Sequence, residues 1–256
     1  MTTPGDSLPT VRTSEYARMH QVEGIGARYD EVIYRDGGYD AFVWSRQRPI
    51  LEDVMRRQRA TIGQLRALDF ACGTGRILSV VDRLADDVTG VDISRFMIEQ
   101  ARPKVAHARL LVADVLDQPD AIGPAYDLIT AFRFFLNTED RMRARIMALL
   151  AGRLAGPEAR LVFNIHANQH SMSGVAGLYR SVRGWEPGRF MTYRQVRRLL
   201  EDAGLRVEAC HGFGILPPRL HRGPGSGLAR AIDRRTAGRG LFRPVCRDLL
   251  FVCRPA

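Results

Sequence analysis

One lysine, Lys104, stands among 38 basic residues, and none of the four cysteines pairs in a CxxC motif. No apolar run reaches the length needed to cross a bilayer, so no membrane span is expected. The opening stretch Met1-Thr-Thr-Pro-Gly-Asp-Ser-Leu8 lacks a basic region followed by an apolar one, which argues against a signal peptide. Cys72, Cys210, Cys246 and Cys253 are too scattered for zinc-ligand spacing. They read as free thiols of a cytoplasmic protein, and no metal is expected.

Acidic residues are scarce in the second half of the chain. Residues 141–256 hold 21 arginines against seven acids, whereas residues 1–140 hold 17 basic and 21 acidic groups. A basic half attracts anionic partners. The arginines are not interleaved with aromatics as a single-strand binder requires, so a solvated surface is the expected reading and nucleic acid is not the expected partner. The dearth of lysine points to a general arginine bias. A hydrophobic fraction of 45% is enough for a substantial core.

Residues 1–12 read as a tail, 13–63 as a helical lid, and 64–256 as one α/β core. Within the lid, residues 14–34 and 40–60 read as two or three helices, broken at Gly37-Gly38 and before Pro49. From residue 66 strands and helices alternate. Strands are expected at 66–71, 87–92, 108–113, 126–131, 159–166, 206–213 and 247–253. Helices are expected at 76–85, 94–102, 138–154 and 192–203, with Thr138 and Thr192 as N-caps. Such alternation predicts a mostly parallel sheet covered on both faces. Insertions at 167–190 and 214–246 interrupt the rhythm, the second with a helix near 226–236.

The segment Ala67-Leu-Asp-Phe-Ala-Cys-Gly-Thr-Gly-Arg-Ile-Leu78 carries the strongest signal. An apolar strand enters a glycine turn that opens a helix. Gly73 and Gly75 can take positive φ and leave room for a ligand against bare backbone. Asp69 precedes the turn, Asp92 ends the second strand, and Asp114 ends the third. In a parallel sheet all three acids fall at the carboxyl edge beside the turn, where such sheets bind ligands. A carboxylate at the end of the second strand can accept both ribose hydroxyls. One on the third strand can accept an adenine amino group, and Asp69 can orient an ammonium group. Together they describe a ligand with adenine, ribose and an amino-acid tail.

In these residues the sequence resembles the class I S-adenosylmethionine-dependent methyltransferases over about residues 64–256. The family's first motif appears as Asp69-Phe-Ala-Cys-Gly-Thr-Gly-Arg76, with Ala71 where the family often has glycine. The resemblance implies a Rossmann-like, doubly wound seven-stranded sheet, mostly parallel with the last-numbered strand antiparallel. It implies a cofactor site of Asp69, Ala71, Gly73, Gly75, Asp92, Ile93, Asp114 and Val115, holding S-adenosyl-L-methionine and its product S-adenosyl-L-homocysteine. Phe132 and Tyr29 are candidates to face the sulfonium, with core packing as the alternative reading. The rival is a dinucleotide fold, whose fingerprint wants a third glycine where Leu78 stands and gives no reason for Asp114.

His166, at the end of the fifth strand, is the leading general base, followed by His170. Arg133 is a candidate for an anionic acceptor group, Asn137 and His20 for other acceptor contacts. The chain lacks the Asp/Asn-Pro-Pro-Tyr/Phe signature of amino-methylating nucleic-acid enzymes, the lysine pair of ribose 2′-O enzymes and the double-glutamate loop of protein arginine methyltransferases. A small-molecule acceptor is therefore expected, most of all a natural-product or sugar hydroxyl in secondary-metabolite biosynthesis. N- or C-methylation, and an RNA- or protein-modifying enzyme docking through the basic half, remain as alternatives. Oligomeric state is not legible.

Overall fold

The computed structural model describes residues 38–183, 190–222 and 225–256. Seven strands form one sheet in the order β3-β2-β1-β4-β5-β7-β6. They are β1 (Arg66–Phe70), β2 (Asp87–Asp92), β3 (Arg109–Val112), β4 (Leu128–Ala131), β5 (Arg160–Ile165), β6 (Leu205–Phe213) and β7 (Asp248–Pro255). Strands β1 to β5 pair in parallel, and β7 runs antiparallel between β5 and β6. Each lies within two residues of its expected place. The antiparallel seventh strand matches the expectation drawn from the family resemblance and departs from the six-stranded dinucleotide fold.

The helices are α1 (Tyr39–Ile62), α2 (Leu78–Leu84), α3 (Arg95–Ala101), α4 (Asp140–Ala151), α5 (Met172–Val182), α6 (Tyr193–Asp202) and α7 (Ser226–Thr236). Strand residues alternate between two cores, as the two-residue period requires. Leu68, Ile129, Leu161 and Phe251 face one core, with Ile146 and Leu150 of α4 and Val196 and Leu200 of α6. Ala67, Leu128, Val162 and Val252 face the other, with Leu51 and Met55 of α1, Leu78 of α2 and Ile98 of α3.

Three expectations need correction. Helix α1 runs unbroken through Pro49. The proline ring removes one helical hydrogen bond. That loss is outweighed by the buried stripe Val43, Gln47, Leu51, Met55 and Gln58. Gln58 also donates to the Asp127 and Glu158 carbonyls at 2.7 and 3.1 Å, fixing the helix end to the sheet. Second, α1, the described part of the expected lid, packs against the sheet with only its first turns near the carboxyl edge, while residues 13–37, with the helix expected at 14–34, lie outside the described residues. Third, Thr138 does not cap α4. Glu139 occupies the cap position without a side-chain bond, while buried Thr138 turns its hydroxyl to the Phe135 carbonyl. Thr192 does cap α6, in a reciprocal capping box with Gln195.

Candidate active site

The parallel strands bring Asp69, Asp92 and Asp114 to one edge, around the turn that follows β1. The turn needs left-handed backbone at Ala71 (φ 53°), Gly73 (φ 54°) and Gly75 (φ 81°). Alanine is costly there because its Cβ crowds the carbonyl, by about 1–2 kcal/mol. The two glycines have different reasons. A Cβ on Gly73 would meet nothing within 4 Å, so this is the open side of the turn. A Cβ on Gly75 would lie 2.8 Å from the Cβ and 3.0 Å from the Cα of Ala101 on α3. Gly75 thus lets a helix approach, and the expectation that it leaves room for a ligand is corrected.

Asp92 organises this turn. Its Oδ2 accepts the Gly73 N–H at 2.9 Å and its Oδ1 accepts the Ser94 N–H at 2.9 Å. Asp114 accepts the Leu116 N–H at 2.9 Å through Oδ1. Asp92, Ile93, Asp114 and Val115 line a cleft with Phe70, Val91 and Phe134. Apolar walls with two carboxylates at the rim suit a purine ring carrying a ribose.

Asp69 is 1% exposed. Its Oδ1 accepts the Thr130 hydroxyl at 2.6 Å, while Oδ2 is buried without a hydrogen-bond partner. Burial pushes its pKa up to about 7, against the pull of Thr130 and Arg76. Such an acid folds more easily with its proton on. The native state holds that proton up to about pH 7, and the unfolded chain releases it near pH 4. Stability is therefore expected to fall as pH rises through that window. Asp69→Asn should remove this slope, seen in urea midpoints at pH 5 and 7.5; an unchanged slope would exclude Asp69 as its source.

The acceptor-side residues are partly committed within the chain. Arg133 has positive φ (58°), held by Asn164 Oδ1, which accepts its N–H at 2.7 Å. Its Nη1 pairs with Asp40 at 2.7 Å, so the charge expected to meet an anionic acceptor is balanced by α1. Asn137 donates to the Arg133 carbonyl at 2.6 Å, closing the turn after β4. Phe132 is buried in the α1-side core, edge-on to Trp44 at 5.9 Å. His166 is 8% exposed and its Nδ1 has no partner. Burial, then the positive charges of Arg133 and Arg247, hold its pKa well below the usual imidazole range. His170 is exposed on the following loop. Tyr29 and His20 lie outside the described residues.

Sequence reasoning missed a cluster beside these residues. Tyr39 donates to Asp248 at 2.8 Å, Arg247 pairs with Asp248 at 3.2 Å and lies over the Tyr39 ring. Burial raises Asp248 to about 6. Asp248 starts the antiparallel strand, so it too reaches the carboxyl edge. That position was the available signal. Trp44 was also missed; Arg76 of the turn stacks on it at 4.7 Å.

The orphaned oxygen of Asp69, the open side of Gly73 and the apolar cleft beside Asp92 fit a ligand with an ammonium tail, a ribose and an adenine. The fold is that of the class I S-adenosylmethionine-dependent methyltransferases, and the residues at its carboxyl edge fit their cofactor. Residues 67–155 match a family described as a methyltransferase domain. An uncharacterized methyltransferase of Bacillus licheniformis is 27% identical over 157 residues, 60% of this chain and 65% of its own length. Magnesium protoporphyrin IX methyltransferase from Synechocystis PCC 6803, with bound S-adenosylhomocysteine, superposes with a TM-score of 0.62 at 15% identity. That likeness covers 94% of this chain and all of the other. A Clostridium acetobutylicum S-adenosylmethionine-dependent methyltransferase gives 0.60 at 13% identity, covering 91% and 98%. Among the described residues no cluster of three metal-ligating side chains occurs, and no helix is long and apolar enough to cross a membrane.

Proposed function

We propose that this chain methylates a small molecule at a hydroxyl oxygen, using S-adenosylmethionine. A natural product or a sugar is the acceptor class. The observation that carries the reading is the buried His166, its Nδ1 without a partner, at the end of β5 on the edge that also holds the three carboxylates. Bound S-adenosylmethionine supplies an electrophilic methyl group on a sulfonium. Asp92 receives the ribose hydroxyls, Asp114 and the Val115 amide the adenine edge, and Asp69 the ammonium. The chain's contribution is mainly alignment of the acceptor oxygen, which can replace much of the barrier with prepaid order.

His166 adds a place for the acceptor's proton at its unpartnered Nδ1. Burial and the neighbouring arginine charges favour the uncharged ring, the form that can accept a proton. His166→Ala is expected to lower turnover about 10²-fold or more while leaving S-adenosylhomocysteine affinity within about threefold. A release assay for S-adenosylhomocysteine over a panel of phenolic and sugar acceptors, with mass spectrometry of the product, tests both claims. Methyl found on nitrogen or carbon would replace the O-methylation reading. Full activity of the variant would remove His166 as the base.

A further inference from the structure

Large apolar side chains left in water are not spread over this surface. Ten are exposed among the described residues, and nine of them belong to residues 167–183 and 214–246. Leu241 is 85% exposed, Leu228 69%, and Val175 and Tyr179 60% each. These two excursions leave the sheet at its carboxyl edge, after β5 and between β6 and β7. They are tied together there by buried Asn168, whose Nδ2 donates to the Pro244 and Cys246 carbonyls at 2.8 and 2.9 Å. Such a concentration is unusual for a monomer's free surface.

The same excursions are cationic. Their described residues include nine arginines and one acid, Asp233. Asp233 is fully buried, paired with His221 at 2.7 Å, so it offers nothing outward. On α7, Leu228, Ile232 and Arg235 recur at i, i+4 and i+7, and all three are exposed. Spacing of that kind puts them on one helix face. On α5, Arg183 lies over the exposed Tyr179 ring at 5.0 Å.

We propose that the two excursions form a docking surface for an anionic lipid bilayer. Aliphatic side chains enter the headgroup boundary and arginines meet lipid phosphates, the pairing that peripheral amphipathic surfaces use. Among the described residues Tyr179 is the only aromatic in the exposed apolar set, and one ring is a poor platform for a single-stranded nucleic acid to stack on. A second copy meeting the same face would set arginine against arginine. The inference goes beyond methyl transfer and holds whatever the acceptor is. It also brings the carboxyl edge, where the cofactor cleft opens, towards the bilayer.

The test is flotation of the full chain with vesicles of phosphatidylcholine alone or mixed with phosphatidylglycerol. Binding is expected to the mixed vesicles only, weakening as salt rises. Leu228→Ser with Leu241→Ser should lower it about tenfold. Arg234→Gln with Arg235→Gln should lower it roughly 25-fold, about fivefold for each charge. Both double variants should keep the wild-type melting temperature and S-adenosylhomocysteine affinity, which report on the fold and the cofactor site separately. Absence of binding, equal binding to both vesicle types, or variants that float like wild type would overturn the proposal. So would a dimer in light scattering, or RNA binding, that the leucine variant abolishes.

Discussion

Replacing Asp92 by alanine is expected to weaken S-adenosylhomocysteine binding by about 100-fold or more. The carboxylate is 8% exposed and already accepts the Gly73 and Ser94 N–H groups, so its position is fixed before any ligand arrives. Hydrogen bonds to a charged group contribute about 1.5–3 kcal/mol each, and two ribose hydroxyls lose theirs in the variant. The turn also loses the bond that orients Gly73, which adds to the effect. Asp92→Asn keeps one acceptor oxygen and should lose less. Calorimetry measures both, and an alanine variant within threefold of wild type would remove Asp92 from the site.

The two glycines of the turn should separate stability from binding. Gly75→Ala meets the Ala101 backbone at 3.0 Å and keeps a left-handed φ of 81°. Left-handed alanine costs about 1–2 kcal/mol, and forcing an atom into a packed contact costs about 1–3 more. For a chain of this size that corresponds to a melting-temperature drop of roughly 5–15 °C. Gly73→Ala carries only the backbone cost, because nothing lies within 4 Å of the added carbon. It should melt a few degrees below wild type and lose cofactor affinity, since the methyl group enters the open side of the turn. Thermal melts beside calorimetry would contradict this account if Gly75→Ala were the milder change.

Much of the sheet was legible because buried parallel strands are short apolar runs bounded by polar turns. Strand β2 fell at Asp87–Asp92 as expected, and Thr192 was visible as a cap because its capping box is local in sequence. The acids were legible from their places on these runs: Asp92 and Asp114 each close one, and Asp69 sits inside the first, just before the glycine turn. Pro49 misled, because the cost of a proline is local while the compensating burial of Leu51 and Met55 is tertiary. Arg133 and Ala71 adopt positive φ without being glycine, so no residue type announced those turns. Tyr39 and Asp248 lie 209 positions apart, and only the return of the antiparallel strand brings them together. The acceptor side is built from such long-range meetings. Arg133, read from sequence as open to an anion, met Asp40 of a helix that had been expected to act as a lid.

The most direct measurement is titration of S-adenosylhomocysteine and, separately, of a nicotinamide dinucleotide into the wild-type protein by calorimetry. One saturable site for S-adenosylhomocysteine and no heat from the dinucleotide are predicted. Dinucleotide binding with no response to S-adenosylhomocysteine would contradict the assignment of the cleft.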